Sequence, residues 1–365
     1  MEISFILVSR FPTSKAYGVT TEYSARALKQ LGHISRIVTN KFDGNLRSNI
    51  DIVEIGSRIS KVILSNRIKK FQFFRFSLFC IIYVILVRKK FRNKTQLFWT
   101  RDIFLSTLLS LKSKHIIVCE IHNMPTIFEY WLLKVLVKKR NIVIAPISNF
   151  LDGMISFNIK NTVLAPMAIN SDELLSPLEK ITKFNEIIYL GNHESLGVTI
   201  DCNLLNYSAK AILNFRPDWK FTFIGISEKN FAKHIDSPIS ANIVFIDRLD
   251  RELVFHKISK GKIGLVVYPD DGLHQFPIKV VEYAAAGLAI IASNTKAHRN
   301  VLNSNNAIFF HYGSVDSLVS SIMFLIDNPV YSEYISMNAL KWASNLTYTK
   351  RVKNILFYVE SNLIK

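Results

Sequence analysis

The sequence predicts an α/β protein built from two doubly wound parallel-sheet domains. Three observations predict it. Short apolar runs alternate with helical segments from one end of the chain to the other. Those runs are apolar on both faces, as strands in a helix-covered parallel sheet must be. The scheme also occurs twice within 365 residues, more chain than one ordinary core accommodates.

The first array opens with ISFILVS (3–9), a strand so close to the first residue that no leader peptide is expected. A loop and the helix TEYSARALKQLGH (21–33) follow, with Gly32 as the stop, since glycine accepts the positive φ of a helix end. ISRIVTN (34–40), TQLFWT (95–100), KHIIVCEIH (114–122) and NIVIAPIS (141–148) read as further strands. The second array runs NEIIYLGN (185–192), the helix LLNYSAKAILNF (204–215), then WKFTFIG (219–225), NIVFID (242–247) and IGLVVYP (263–269). It closes with the helix VVEYAAAG (280–287), the strand AIIAS (289–293) and the helix SVDSLVSSIMFLID (314–327). The polar stretch 170–184 marks the join. The expected domains are 1–175, 176–345, and a last segment 346–365 that crosses back to the first domain. In such sheets ligands bind beyond the carboxyl ends of the strands, so two of them are expected to face each other across a ligand cleft.

Three widely spaced cysteines, Cys80, Cys119 and Cys202, argue against a disulfide framework or zinc cluster and suit a reducing compartment. The formal charge of +18 is concentrated in one half: residues 1–170 carry a net +17 and residues 171–365 a net +1. Between Gly56 and Arg101 there are twelve basic residues and no acidic one. At the centre lies RIKKFQFFRFSLFCIIYVILVRKKFRNK (67–94), whose uncharged run Ser77 to Val87 is about half the ~20 residues a membrane span needs. Arg67, Lys69, Lys70 and Arg75 on one side, and Arg88, Lys89 and Lys90 on the other, suit an anchor lying in the membrane interface against anionic lipid. A buried helix with a solvated basic end is the structural alternative. Nucleic acid would also welcome the charge, but the signatures of its common binding folds are missing, so no nucleic-acid partner is expected.

The segment HQFPIKVVEYAAAGLAIIAS (274–293) carries the chemistry. Its loop aims the backbone N–H groups of Phe276, Pro277's neighbours, Ile278 and Lys279 at a helix N-terminus, where dipole and free donors favour an anion such as a pyrophosphate. Pro277 suits the first helical position because it has no N–H to lose. Lys279 adds a full charge, and Glu282, one turn further in, can accept both hydroxyls of a ribose. The structural alternative makes Glu282 a surface residue that complements the dipole. Adjacent Asp270 and Asp271 read as solvated loop acids rather than a metal site, because two neighbouring carboxylates are a weak ligand set for a cation.

FPIKVVEYAAAGLAIIAS resembles the C-terminal signature of the GT-B glycosyltransferases of family 4, the retaining "group 1" sugar transferases. Other pieces fall in that family's order: FPTSKAYGVTTEYSARALKQLGH with Gly18 in the glycine position, FWTRD with Arg101, CEIHN with His122, APISNFLDGMI, LAPMAINSDEL and IIYLGNHESLGV. The likeness spans nearly the whole chain. It implies a GT-B fold and transfer of a sugar from a nucleotide-sugar co-substrate to an acceptor hydroxyl with retention, needing no other cofactor and no metal. It further implies Gly18, Asn192, Phe276, Pro277, Ile278, Lys279 and Glu282 at the donor, Arg248 near the base, and His274 and His122 at the transferred sugar, with Arg101 on the acceptor side. Three departures stand out. His274 occupies the first position of the family's Glu-x7-Glu pair, the basic pair after the first donor-domain strand is missing, and Met167 to Asn170 replace Asn-Gly-Val-Asp.

With the basic region, the resemblance implies a bacterial enzyme on the cytoplasmic face of the plasma membrane. Its acceptor would be a lipid-linked oligosaccharide of lipopolysaccharide O-antigen, capsule or exopolysaccharide assembly. Two rivals are an inactive GT-B binder of membrane or polyanion, and a nucleotide-cofactor oxidoreductase. The second needs a Gly-x-Gly-x-x-Gly turn after the first strand, which RFPTSKAYG does not supply.

Overall fold

The computed structural model describes residues 1–8, 10–11, 16–42, 50–55, 72–91, 97–111, 114–149, 153, 161–176, 181–191, 194–195, 198–240, 242–247, 249–269 and 276–364. The chain divides into two compact units, Met1–Pro166 with Tyr348–Lys365, and Met167–Thr347. Each holds a six-stranded parallel sheet flanked by helices.

In the first unit β1 (Glu2–Ile6) leads through α1 (Ala16–Gln30) to β2 (Ile34–Thr39) and the edge strand β3 (Asp51–Glu54). Helix α2 (Gln72–Lys90) then returns the chain to β4 (Leu97–Thr100), followed by α3 (Ile103–Ser110), β5 (Ile116–Ile121), α4 (Ile127–Leu136) and β6 (Ile142–Pro146). The sheet order is β3-β2-β1-β4-β5-β6, so the winding reverses between β1 and β4. Caps fix the short helices. The Asp102 carboxylate accepts from the Leu105 N–H at 2.8 Å, and Thr126 with Glu129 forms a reciprocal capping box at the start of α4. Trp99, Phe98 and Tyr83 are among the largest fully buried side chains.

The second unit repeats the topology with β7 (Glu186–Leu190), α5 (Cys202–Phe215), β8 (Lys220–Ile224), β9 (Ile243–Ile246), α6 (Arg251–Ile258) and β10 (Ile263–Val266). Helix α7 (Ile278–Ala285), β11 (Ala289–Ser293), β12 (Ile308–Phe310), α8 (Val315–Asp327) and α9 (Pro329–Ala343) complete it. Its order, β9-β8-β7-β10-β11-β12, reverses between β7 and β10. Gly264 in β10 explains how α7 packs: a Cβ there would lie 2.6 Å from the Tyr283 ring. The bare backbone lets that ring lie against the sheet, and its hydroxyl accepts the Leu190 N–H at 2.6 Å. Finally α10 (Tyr348–Leu363) rejoins the first unit and packs along α1, with Tyr348 stacked on Tyr23.

Several elements differ from the sequence reading. Helix α1 starts five residues before the expected segment 21–33. Pro277 is the N-cap of α7 rather than its first helical residue. The edge strand β3 and the helices α3, α4 and α9 carry too little periodicity to be seen in the sequence, and packing on the sheets creates them. Helix α2 is buried on one face and exposed on the other. Phe79, Cys80, Tyr83 and Val87 are buried, and the Tyr83 hydroxyl donates to the Leu7 carbonyl at 2.9 Å. Leu78, Ile81 and Ile85 face outward, with exposed Lys89 on the same stripe. No described helix is long and apolar enough to cross a membrane. All three cysteines are free and buried.

Candidate functional site

Doubly wound sheets hold ligands where the winding reverses, because there the loops diverge and leave a crevice. Both units place charged groups at that point.

In the second unit the reversal lies between β7 and β10. Lys279, the second residue of α7, sends its ammonium there, 4.8 Å from the ring centre of Tyr189 at the end of β7 and 4.7 Å from that of Tyr268 just after β10. Burial by itself pulls the Lys279 pKa down, but the two phenols facing the ammonium outweigh it, so the net direction is upward and the group stays charged. The loop above it opens at Gly191, with φ of 150°, where a Cβ would fall 2.0 Å from the lysine Nζ. Glycine is therefore what gives the cation its place.

Glu282 is 7% exposed and does not stand alone. Its Oε1 accepts from Arg251 at 2.7 Å, and the same guanidinium reaches Glu173 at 2.9 and 3.1 Å. This carboxylate–guanidinium–carboxylate chain sets the Glu282 rotamer and uses one of its two oxygens. The result differs from the reading of Glu282 as a surface residue. Phe276 is half-buried and Pro277 buried, so they and Ile278 form the wall at the helix mouth. Asn192, Arg248, His274 and the Asp270–Asp271 pair lie outside the described residues.

In the first unit the reversal lies between β1 and β4. Arg101 follows β4 directly and lines a small cavity with Leu7, Thr20, Ser24, Thr100 and Glu120. Burial, partly offset by Glu120, pulls the Arg101 pKa down to about 10, and its buried NH1 has no hydrogen-bond partner among the described residues. Gly18 is buried in the first turn of α1.

Glu120, on β5, is the centre of this cluster. Its Oε1 accepts from Trp99 Nε1 at 2.7 Å and lies 2.8 Å from Arg351 of α10, while its Oε2 lies 2.7 Å from His122 Nε2. Burial would raise the Glu120 carboxyl, but Arg351 first, then His122 and Arg101, hold it well below the usual carboxylate range. Burial and then the Arg101 charge pull His122 down to about 4, against the opposing pull of Glu120. At neutral pH the imidazole is therefore uncharged beside an ionised carboxylate. Its proton must sit on Nε2, which leaves Nδ1 as an acceptor lone pair.

Sequence reasoning missed Arg351, Arg251, Glu173 and the three tyrosines. Only the Glu120–His122 pair left a local signal, because residues two apart on a strand share a face. The basic residues expected at a membrane divide. Arg67, Lys69 and Lys70 lie outside the described residues, as does the side chain of Arg75. Lys89 and Lys90 are exposed. Arg88 is corrected: its guanidinium donates to the carbonyls of Leu108 at 2.8 Å and Leu109 at 2.9 Å, and to Leu111, closing the end of α3. A guanidinium can satisfy several orphan helix carbonyls at once, so this arginine is bound within the protein rather than offered to lipid. Among the described residues no cluster of His, Cys, Asp and Glu could hold a metal ion.

Residues 202–342 match the family described as Glycosyl transferases group 1. No curated protein sequence matches the chain. Among solved structures, a glycosyltransferase from Rickettsia africae ESF-5 is similar over 100% of this chain and 99% of its own, at 18% identity and a TM-score of 0.73. A TarM mutant of S. aureus in complex with Fondaparinux, α-GlcNAc-glycerol and UDP is similar over 98% and 99%, at 10% identity and a TM-score of 0.72. WaaG, a glycosyltransferase involved in lipopolysaccharide biosynthesis, is similar over 100% of both chains, at 11% identity and a TM-score of 0.65. The fold is thus the two-domain, Rossmann-like GT-B fold, and the match over residues 202–342 supports a glycosyltransferase.

Proposed function

We propose that this protein transfers a sugar, with retention of anomeric configuration, from a nucleotide-diphosphate sugar to a hydroxyl of a lipid-linked saccharide. The process would be bacterial surface-polysaccharide assembly at the cytoplasmic face of the membrane. The observation that carries the reading is Lys279: a charged ammonium two residues into a helix, at the reversal point of the unit that matches the family. Helix N–H groups and this cation would hold the diphosphate and stabilise the negative charge that grows on it as the glycosidic bond breaks. Glu282, steadied by Arg251, would accept the ribose hydroxyls with its remaining oxygen. Gly18, Asn192, Arg248 and His274 would complete the donor site.

On the first unit, neutral His122 would accept a hydrogen bond from a sugar hydroxyl through Nδ1. Among the described residues, two guanidiniums against one carboxylate leave the buried cluster one positive charge in excess, with an Arg101 nitrogen that has no partner there. Such a site suits an acceptor that carries an anionic group, as a polyprenyl-diphosphate saccharide does. The exposed Lys89 and Lys90 and the outward apolar stripe of α2 agree with a membrane-held acceptor. WaaG, similar in fold, acts in lipopolysaccharide biosynthesis, which agrees with the pathway.

Calorimetry with UDP-, GDP- and dTDP-sugars tests the donor role. At least one should bind to the wild-type protein, and Glu282→Gln should weaken that binding by about tenfold through the lost charged hydrogen bond. Absence of any nucleotide-sugar binding to the wild type would end the reading.

A further inference from the structure

The outward face of α4 is apolar where a helix on a protein surface should be polar. Ile127 is 93% exposed, Trp131 60%, Phe128 45% and Val135 36%. At 100° per residue these four lie within an arc of about 100°, while the buried Leu132, Leu136 and Leu133 occupy the arc from about 140° to 240°. The cap is orderly and the inner face well packed, so the exposure is not a sign of a poorly formed helix. Exposed Lys134, Lys138 and Arg140 border this face toward its C-terminal end, and the one acid of the helix, Glu129, is engaged in the capping box. Helix α4 packs beside α3, and α3 beside α2. Exposed Leu111, just past α3, and the α2 stripe of Leu78, Ile81, Ile85 and Lys89 therefore belong to the same helical layer.

We infer that this face of α4 is a docking surface for the interface of an anionic phospholipid bilayer, with Ile127 and Trp131 entering the headgroup boundary and Lys134, Lys138 and Arg140 meeting lipid phosphates. Charge decides between a bilayer and a second copy of the chain. A copy would bring the same cations against themselves, whereas an anionic bilayer complements them. The indole is also the side chain best suited to the headgroup level, being apolar with one polar edge. The surface has a use in the proposed reaction, and this part of the inference rests on that reading. Only residues 123–126 separate His122 from α4, so a docked α4 keeps the end of β5 within ~17 Å of the lipid surface. A lipid-linked acceptor would then reach the site without leaving the bilayer.

The test is flotation of the full chain with phosphatidylcholine vesicles and with vesicles that also contain phosphatidylglycerol. The wild type should float with the mixed vesicles. The pair Ile127→Ser with Trp131→Ser should weaken that binding by about tenfold or more, since two large apolar groups no longer leave water. Lys134→Glu with Lys138→Glu should abolish the preference for anionic lipid. Bromine-labelled acyl chains should quench wild-type tryptophan fluorescence and leave Trp131→Phe unquenched. Undiminished binding of the serine pair overturns the inference, as does unaltered quenching in Trp131→Phe. So does a wild-type dimer in solution that the serine pair dissociates. Nucleotide-diphosphate affinity, measured on the same variants, should not change. Vesicle binding without nucleotide binding would overturn the transferase reading and leave the docking surface standing, and the reverse result would do the opposite.

Discussion

The guanidinium of Arg351 lies 2.8 Å from the carboxylate of Glu120, both side chains almost wholly buried, although 230 residues of chain separate them. Arg351 also donates to the Pro166 carbonyl at 2.9 Å. One side chain of the last helix thus ties together a central strand, the end of the first unit's main segment, and through Glu120 the imidazole of His122. The role of Arg351 is to position: it keeps Glu120 ionised, and ionised Glu120 fixes the His122 tautomer.

Replacing Arg351 by Met should destabilise the first unit by about 3–5 kcal/mol, because it strands a buried carboxylate. Replacing Arg351 and Glu120 together, by Met and Gln, should cost clearly less than the sum. Denaturant unfolding of the two single variants and the double variant checks this, and additive losses would mean that the pair does not act as one.

Stability should fall as pH drops from about 6.5 toward 4. His122 has its folded pKa held down at about 4 while the unfolded chain keeps the ordinary 6.5, so between those values only the unfolded state takes up the proton. The loss from this group is at most about 3 kcal/mol. Glu120, also depressed in the fold, adds its own loss as pH falls below the ordinary carboxylate range. Unfolding curves across this window, for wild type and His122→Gln, give the measurement. The variant should be flatter above pH 5, and an identical slope would show that His122 is not the group responsible.

Lys279→Met should weaken nucleotide-diphosphate binding by about ten- to a hundredfold, the range of one charged hydrogen bond, and affect acceptor affinity much less. Equal losses on both ligands would remove the lysine from the donor site. Gly191→Ala should mimic the loss, since the new methyl would claim the space that Nζ occupies. Full nucleotide affinity in Gly191→Ala would show that the cation can move without consequence.

Gly264→Ala should destabilise the second unit by about 1–3 kcal/mol through a clash with the Tyr283 ring. Tyr283→Phe retains the ring and loses only the bond to the Leu190 N–H, at about 1 kcal/mol. Thermal unfolding ranks the two. Greater damage from Tyr283→Phe would mean that the hydrogen bond, rather than the space at Gly264, governs how α7 meets the sheet.

The sequence by itself determined the two doubly wound sheets, because double-sided burial of their strands is written into consecutive residues such as 116–121 and 289–293. It also showed the helix mouth at Pro277 to Glu282, a motif contained within two turns, and singled out His122, two residues past Glu120, but not the pair they form. The tertiary structure alone decided what surrounds them. It brought Arg351 to Glu120, Arg251 to Glu282, and Tyr189 with Tyr268 around Lys279. It also turned Arg88 inward and left Trp131 outside. The physical reason is that a charge or ring is assigned its partner by packing between elements distant in the chain. Local periodicity tells which face of an element is apolar, but not which neighbour will cover it.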